Sequence, residues 1–400
     1  MSYNFDEIID RRNTNCLNTD GFRGYIFNAG PEKVFPFKDE EFIRMWVADM
    51  EFATPIEIRN AIKERIDKKI FGYTMSFDNS YYTAFNNWCQ QMYDWTFPKE
   101  ELVSSPGIIP ALYQLVELLV KPHEQVLTFT PAYVFFKHAT TYNQVPLISM
   151  PLLNTEGYFS IDFKELEHIL TTQSIKLFIL CNPHNPTGRM WTNKELTKLA
   201  ELIEKHDLWV ISDEIHCDLI RQNKKHIPLG KIMPHYNKLI TCMSASKTFN
   251  MAGLMLSNII IRNAELRKEF IARDKTINFI NPLSYEAHKA AYEHGKPWLD
   301  ELKAYLDENF AFVKNFLNSE LPKLKITIPE STYLAWVDLN PYLPPNTDVS
   351  ALFANAGVLL EGGDGLFVDN ADNFIRLNLA MPRSIIQEGL KRIVATINNQ

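Results

Sequence analysis

Lys247 stands in Ser244-Ala245-Ser246-Lys247-Thr248-Phe249-Asn250, directly after the apolar run Leu239–Met243. A lysine amine attacks a carbonyl when burial or a neighbouring cation lowers its pKa; a solvated lysine in a polar turn is the plainer alternative. Asp213, in Ile211-Ser212-Asp213-Glu214-Ile215-His216, ends the apolar run Leu208–Ile211. A carboxylate there can cap a helix, face water, or pair with a ring nitrogen and keep it protonated. Asn185 lies in Cys181-Asn182-Pro183-His184-Asn185-Pro186-Thr187-Gly188-Arg189, where two X-Pro pairs and a glycine make a rigid turn. A fixed amide in such a turn can donate to a phenolate oxygen. Ser105-Pro106-Gly107-Ile108-Ile109-Pro110 opens a helix pattern whose first N–H groups could receive a phosphate. Tyr133, in Thr130-Pro131-Ala132-Tyr133, is either a core aromatic or a ring that stacks on a flat ligand. Arg376 interrupts the apolar strand pattern Phe374–Leu379. A buried guanidinium needs a partner, and its planar fork suits a carboxylate, whether a substrate's or a structural glutamate's.

These residues must be held by a frame, and the pattern between them supplies one. From about residue 100, short apolar runs alternate with amphipathic stretches. The runs are Gln125–Phe129, Val145–Met150, Lys176–Cys181, Leu208–Ser212, Leu239–Cys242 and Ser257–Ile261. Helices are predicted over Ile108–Val120, Ala132–Tyr142, Asp162–Leu170 and Asn193–His206. Such alternation predicts an α/β fold with a largely parallel sheet, whose ligands lie outside the carboxyl ends of the strands. The chemical residues cluster at those ends. Upstream, Thr54 is read as the cap and Pro55 as the first residue of a helix with Ile58, Ile62, Ile66 and Ile70 on one face. A second helix is predicted over 79–94. Downstream, a long helix at about 298–318 carries Trp298, Leu302, Tyr305, Phe312 and Phe316, interrupted by Asn309. Short strands at Tyr333–Asp338 and Phe374–Leu379 and a final helix at Ser384–Ile397 complete a smaller α+β part.

The 400-residue chain is long enough for two domains. Its net charge of −7 argues against nucleic-acid binding. Five cysteines without C-x-x-C spacing suit reduced thiols in a cytoplasmic protein. The acidic start, with Asp6, Glu7 and Asp10, has no apolar core and is not a signal peptide, and no run is apolar enough for a membrane span. Glu361-Gly362-Gly363-Asp364-Gly365 is read as a turn, and neither His184 nor His216-Cys217 assembles a metal-ligand set.

Taken together and in this order, the motifs resemble the fold-type-I enzymes of pyridoxal 5'-phosphate (PLP), the aminotransferase class I/II family. The resemblance spans about residues 44 to 397. Within that family the chain is most similar to the MalY/PatB-type carbon–sulfur lyases. The stretches that carry this are Met45-Trp46-Val47-Ala48-Asp49-Met50-Glu51-Phe52, Phe71-Gly72-Tyr73, Ser212 to Leu219, Ser246 to Leu254 and Ile375 to Ser384. The resemblance implies a large domain over 50–285 with a mostly parallel seven-stranded sheet, and a discontinuous small domain of 1–49 with 286–400. It implies that Lys247 carries PLP covalently and later moves the Cα proton. Asp213 pairs with the pyridine nitrogen, Asn185 contacts the phenolic oxygen and Tyr133 stacks on the ring. Ser244 and the N–H groups after Gly107, those of Ile108 and Ile109, hold the phosphate. Tyr73 reaches the phosphate of the neighbouring subunit in a homodimer. His216 belongs to the cofactor's surroundings, Ala48 to the substrate's, and Arg376 binds the substrate α-carboxylate. The chain departs from the wider family at Met255, where a phosphate-binding arginine is common, at His216, where tyrosine is common, and at Asp369-Asn370-Ala371-Asp372-Asn373, which lacks the usual glycines.

The implied reaction is β-elimination from cystathionine or a related cysteine S-conjugate, giving a thiol, pyruvate and ammonia. Transamination would use the same Lys247, Asp213 and Arg376 and differ in where the proton returns. A partner-binding regulatory role would instead survive loss of Lys247.

Overall fold

The computed structural model describes residues 3–273 and 279–400. Its centre is a seven-stranded sheet built from β1 (Leu102–Ser105), β2 (Gln125–Thr130), β3 (Leu147–Pro151), β4 (Ile175–Cys181), β5 (Trp209–Asp213), β6 (Leu239–Met243) and β7 (Ser257–Ile261). The spatial order is β1-β7-β6-β5-β4-β2-β3. The pairs among β3, β2, β4, β5 and β6 are all parallel, whereas β7 runs antiparallel to both β6 and β1. Side chains alternate across β4: Leu177, Ile179 and Cys181 enter one core, Phe178 and Leu180 the other. Both faces are buried, which is why the strands read as continuous apolar runs. The predicted sheet is therefore present, with one strand, β1, whose four residues were too short to stand out as a run.

The parallel strands end at one edge. Pro106-Gly107, Tyr133, Asn182–Asn185 and the Lys247 turn follow strand ends there, and Asp213 is the last residue of β5. The reversed β7 begins at the same edge, so Met255, Leu256 and Ser257 join it. Ala132–Tyr133 is a short strand paired antiparallel to Phe367–Val368, not the start of the following helix, which begins at Val134. That pairing fixes Tyr133 opposite Phe367.

A second sheet of β8 (Leu334–Asp338), β10 (Phe374–Asn378) and β9 (Glu361–Gly362) is antiparallel. Glu361-Gly362 is thus strand rather than turn, and β9 places Glu361 directly opposite Arg376. Near the N-terminus, Ile43–Arg44 pairs in parallel with Val358–Leu359.

Three helix readings need correction. Thr54 is not a cap: the helix is Ile56–Asp67, and the Thr54 hydroxyl donates to the Asn250 carbonyl at 3.0 Å. On that helix Ile58 is buried, but Ile66 is half exposed and Ile70 lies beyond the helix end, 69% exposed. The long helix, Lys296–Glu320, buries Leu302, Leu306, Phe310, Val313 and Leu317, while Phe312 and Phe316 are only partly covered. Asn309 does not interrupt the buried face but belongs to it. Its amide donates to the Leu379 and Met381 carbonyls at 3.0 and 3.2 Å and accepts from Arg383 Nε at 3.1 Å. A buried amide is stable only with its hydrogen bonds made, and these tie the helix to the chain leaving β10.

Candidate active site

A cavity of about 280 Å³ opens at the carboxyl edge of the large sheet. Lys247 lies in it, on a helical turn that begins at Ser244. Its Nζ donates to the Ala48 carbonyl at 2.6 Å. That carbonyl is held in place by its neighbours: Asn378 Nδ2 donates to the carbonyls of Val47 and Asp49 at 2.9 and 2.5 Å. Asn250, just after the lysine turn, accepts from the Met50 N–H and donates to the Met50 and Phe52 carbonyls. Burial lowers the Lys247 pKa, with Asp49 opposing the shift and Arg376 adding to it. More of the amine is neutral at neutral pH, as a nucleophile or base requires.

Asp213 closes the cavity at the end of β5. Burial raises its pKa to about 7, although the Ile215 N–H at 3.2 Å works in the opposite direction. A carboxylate placed this way is electrostatically incomplete, and a cationic ring nitrogen would complete it. Gly107, Ile108 and Ile109 form another wall, at the start of the helix Ile108–Leu119. The first N–H groups of a helix have no partner within it and suit a phosphate. Arg376 Nη1 donates to Asn185 Oδ1 at 3.1 Å. With its oxygen so occupied, the Asn185 amide is left with its NH₂ to offer. The cavity's donors thus fit a flat, phosphorylated pyridine, with Tyr133 on its wall.

The model of the aminotransferase class I and II family matches residues 40–393. The chain belongs to that family. Across it the chain is 37% identical over 399 residues to cystathionine beta-lyase PatB of Bacillus subtilis, covering 99% of this chain and all of PatB. It is 32% identical to protein MalY of Escherichia coli, covering 99% of each. Among solved structures it superposes on the PLP-bound C-S lyase of Staphylococcus hominis, complexed with the inhibitor L-cycloserine. That match has a TM-score of 0.95 and 46% identity and covers 99% of this chain and 98% of the other.

Of the residues expected in this family's site, Lys247, Asp213, Asn185, Tyr133, Gly107, Ile108, Ile109, His216, Arg376 and Ala48 all line the one cavity. His216 is buried and its pKa falls to about 3, by desolvation first and then by Lys247 and Arg376, so it is a neutral imidazole there. Two expected residues lie elsewhere. The Ser244 hydroxyl turns away, donating to the Leu256 carbonyl at 2.8 Å and capping the Ser246 N–H at 3.1 Å; Ser246 and Ser257 line the cavity instead. Tyr73 is 91% exposed and packs at a tilt against Phe279 with centroids 5.1 Å apart, and it is not among the residues lining this chain's own cavity. Met255 stands at the rim in the left-handed region, φ 46°, and brings no charge.

Tyr25 and Glu361 line the cavity without having been expected. Tyr25 comes from an N-terminal stretch with no periodicity, so no pattern pointed to it. Glu361 was hidden in a glycine-rich run. The signal that could have found it is the need of a buried Arg376 for an acid. The structure supplies that ion pair, between side chains 2% and 4% exposed. Among the described residues no cluster of three His, Cys, Asp or Glu side chains is suited to a metal, and no helix is long and apolar enough to cross a membrane.

Proposed function

We propose that this chain is a PLP-dependent carbon–sulfur β-lyase. With water as co-reactant it cleaves cystathionine or a related cysteine S-conjugate to a thiol, pyruvate and ammonia. The observation that carries the reading is the buried Lys247 amine, whose pKa is lowered, sharing one cavity with Asp213 and Arg376. The full-length similarity to PatB and to the S. hominis lyase supports β-elimination over transamination.

When bound, PLP supplies an electron sink for the pair of electrons left at the substrate Cα. The chain does the rest. Lys247 would hold the cofactor, and its Nζ is placed to take the Cα proton. Asp213 would keep a proton at the ring nitrogen. Asn185, oriented by Arg376, would donate to the phenolic oxygen. Ile108 and Ile109 would present N–H groups to the phosphate. Arg376 binds the α-carboxylate through its planar fork.

The active unit in this reading is a homodimer. Tyr73, Phe71 and Phe77 are exposed aromatics near one another in sequence, and Tyr73 is free to reach a neighbouring subunit's phosphate. The small domain is read as 1–49 with 286–400 around the large domain 50–285. The parallel pairing of Ile43–Arg44 with Val358–Leu359 supports joining its two parts. Five unpaired thiols, four of them buried, favour a cytoplasmic setting.

Incubation with L-cystathionine, without any 2-oxo acid, is expected to release thiol and pyruvate in equal amounts. Amino transfer that depends on an acceptor, with no thiol released, overturns the reading.

A further inference from the structure

Glu361 is the acid in the cavity that the proposed chemistry leaves without a task. It faces Arg376 across paired strands and accepts a hydrogen bond from Arg376 Nη2. The other donors of Arg376 are unevenly used. Nη1 goes to Asn185 Oδ1, Nη2 also approaches the Trp46 carbonyl at 3.4 Å, and buried Nε has no partner in the chain. A substrate carboxylate arriving at this guanidinium therefore meets a charge already neutralised. Two carboxylates on one guanidinium repel each other in a buried site, and one must leave or take up a proton.

We propose that Glu361 is an internal stand-in for the substrate's α-carboxylate and a determinant of substrate affinity. It keeps Arg376 oriented and compensated while the site lacks substrate. It gives up the guanidinium when an amino-acid carboxylate binds. The inference rests on the assignment of Arg376 to that carboxylate.

Three observations support this role. A buried guanidinium without a partner is costly, so something must occupy it between turnovers. Glu361 is among the residues that line the cavity, and its carboxylate holds the same guanidinium that a substrate carboxylate would need. Burial pushes the Glu361 pKa up while Arg376 and Lys247 pull it down. Loss of the Arg376 contact removes one of the two opposing cations, and proton uptake then neutralises the displaced acid. The remaining groups facing it do not replace that cation. Tyr25 and Tyr133 are phenols with raised pKa values, His216 is neutral, and Asp213 is itself an acid. Binding of an α-carboxylate is thus coupled to proton uptake, and KM rises with pH.

The test is Glu361→Gln in the PLP-loaded enzyme, with KM and kcat for L-cystathionine measured across the neutral range. The glutamine keeps the shape but competes without charge. KM is expected to fall at least about threefold, more than kcat changes, and to lose part of its rise with pH. A KM that is unchanged or higher overturns the proposal. Glu361→Asp, one methylene shorter and less able to reach Arg376, must move KM in the same direction, and serves alone if the glutamine variant does not fold. Arg376→Lys separates the role of Arg376 from that of Glu361. If its KM does not rise, the carboxylate assignment fails and this inference with it. If it rises while the Glu361 variants leave KM unchanged, only this inference fails.

Discussion

Lys247 donates to the carbonyl of Ala48, 199 residues earlier in the chain, at 2.6 Å. The contact joins the turn after β6 to the segment that leads from Ile43–Arg44 into the large sheet. It also gives the buried amine a fixed hydrogen-bond partner. A backbone carbonyl accepts a hydrogen bond from the amine without bringing an opposing full charge, so burial is left to lower the pKa.

Lys247→Ala is therefore expected to abolish turnover, with a loss of roughly 10²- to 10⁴-fold or more. The check is borohydride reduction of PLP-loaded protein followed by peptide mass analysis. Wild type should carry the cofactor on the Lys247 peptide, and the alanine variant should carry none.

Asp213 should leave a mark on the cofactor-free protein. Its carboxyl is raised to about 7 by burial. The folded state then holds a proton that the unfolded state releases, so stability falls as pH rises from the usual carboxylate value to about 7. Asp213→Asn should remove that slope. Without cofactor, the variant should melt higher than wild type at pH above about 7 and no higher in acid, while its activity with PLP is strongly reduced. Thermal melts at the two pH values decide it; a variant that melts lower at high pH contradicts the burial argument.

The Arg376–Glu361 pair is buried on both sides. Arg376→Leu strands an acid and should cost about 3–5 kcal/mol of stability. Combining it with Glu361→Leu should recover a large part of that loss, since no charge is then left alone. Urea unfolding of the two single variants and the double variant gives the coupling; strictly additive losses would show that the pair is not coupled in the fold.

Tyr73 belongs to the neighbour's site in the proposed dimer. Tyr73→Ala and Lys247→Ala should each be inactive alone. Mixed after dissociation, they should regain roughly a quarter of wild-type activity, because half the dimers are mixed and each has one complete site. No recovery, with exchange of subunits shown by mass, would remove Tyr73 from a shared site.

Asn309→Leu should destabilise the protein by about 1–3 kcal/mol for each buried polar group it strands. The Leu379 and Met381 carbonyls and Arg383 Nε are the groups concerned. The urea midpoint is expected to fall with no change in slope.

The sequence by itself determined six of the seven strands of the large sheet, all but Leu102–Ser105, and the residues at their carboxyl ends. A strand buried on both faces must be apolar throughout, and its polar neighbours stand out against it, as Asp213 does after Trp209–Ile211 and Lys247 does after Leu239–Met243. Motif order then made the family legible before any coordinates. Tertiary structure decided what local pattern does not encode. Asn309 looked like a flaw in an apolar stripe because its partners, Leu379 and Met381, are some seventy residues away. Ser244 carried the right motif, yet its hydroxyl is consumed by Leu256 and Ser246. Glu361 looked like part of a turn because only strand pairing sets it against Arg376. Spacing along the chain reports which face a residue shares with near neighbours. It does not report which distant partner will satisfy a buried charge or amide, and at Arg376 that partner is a glutamate on the adjoining strand.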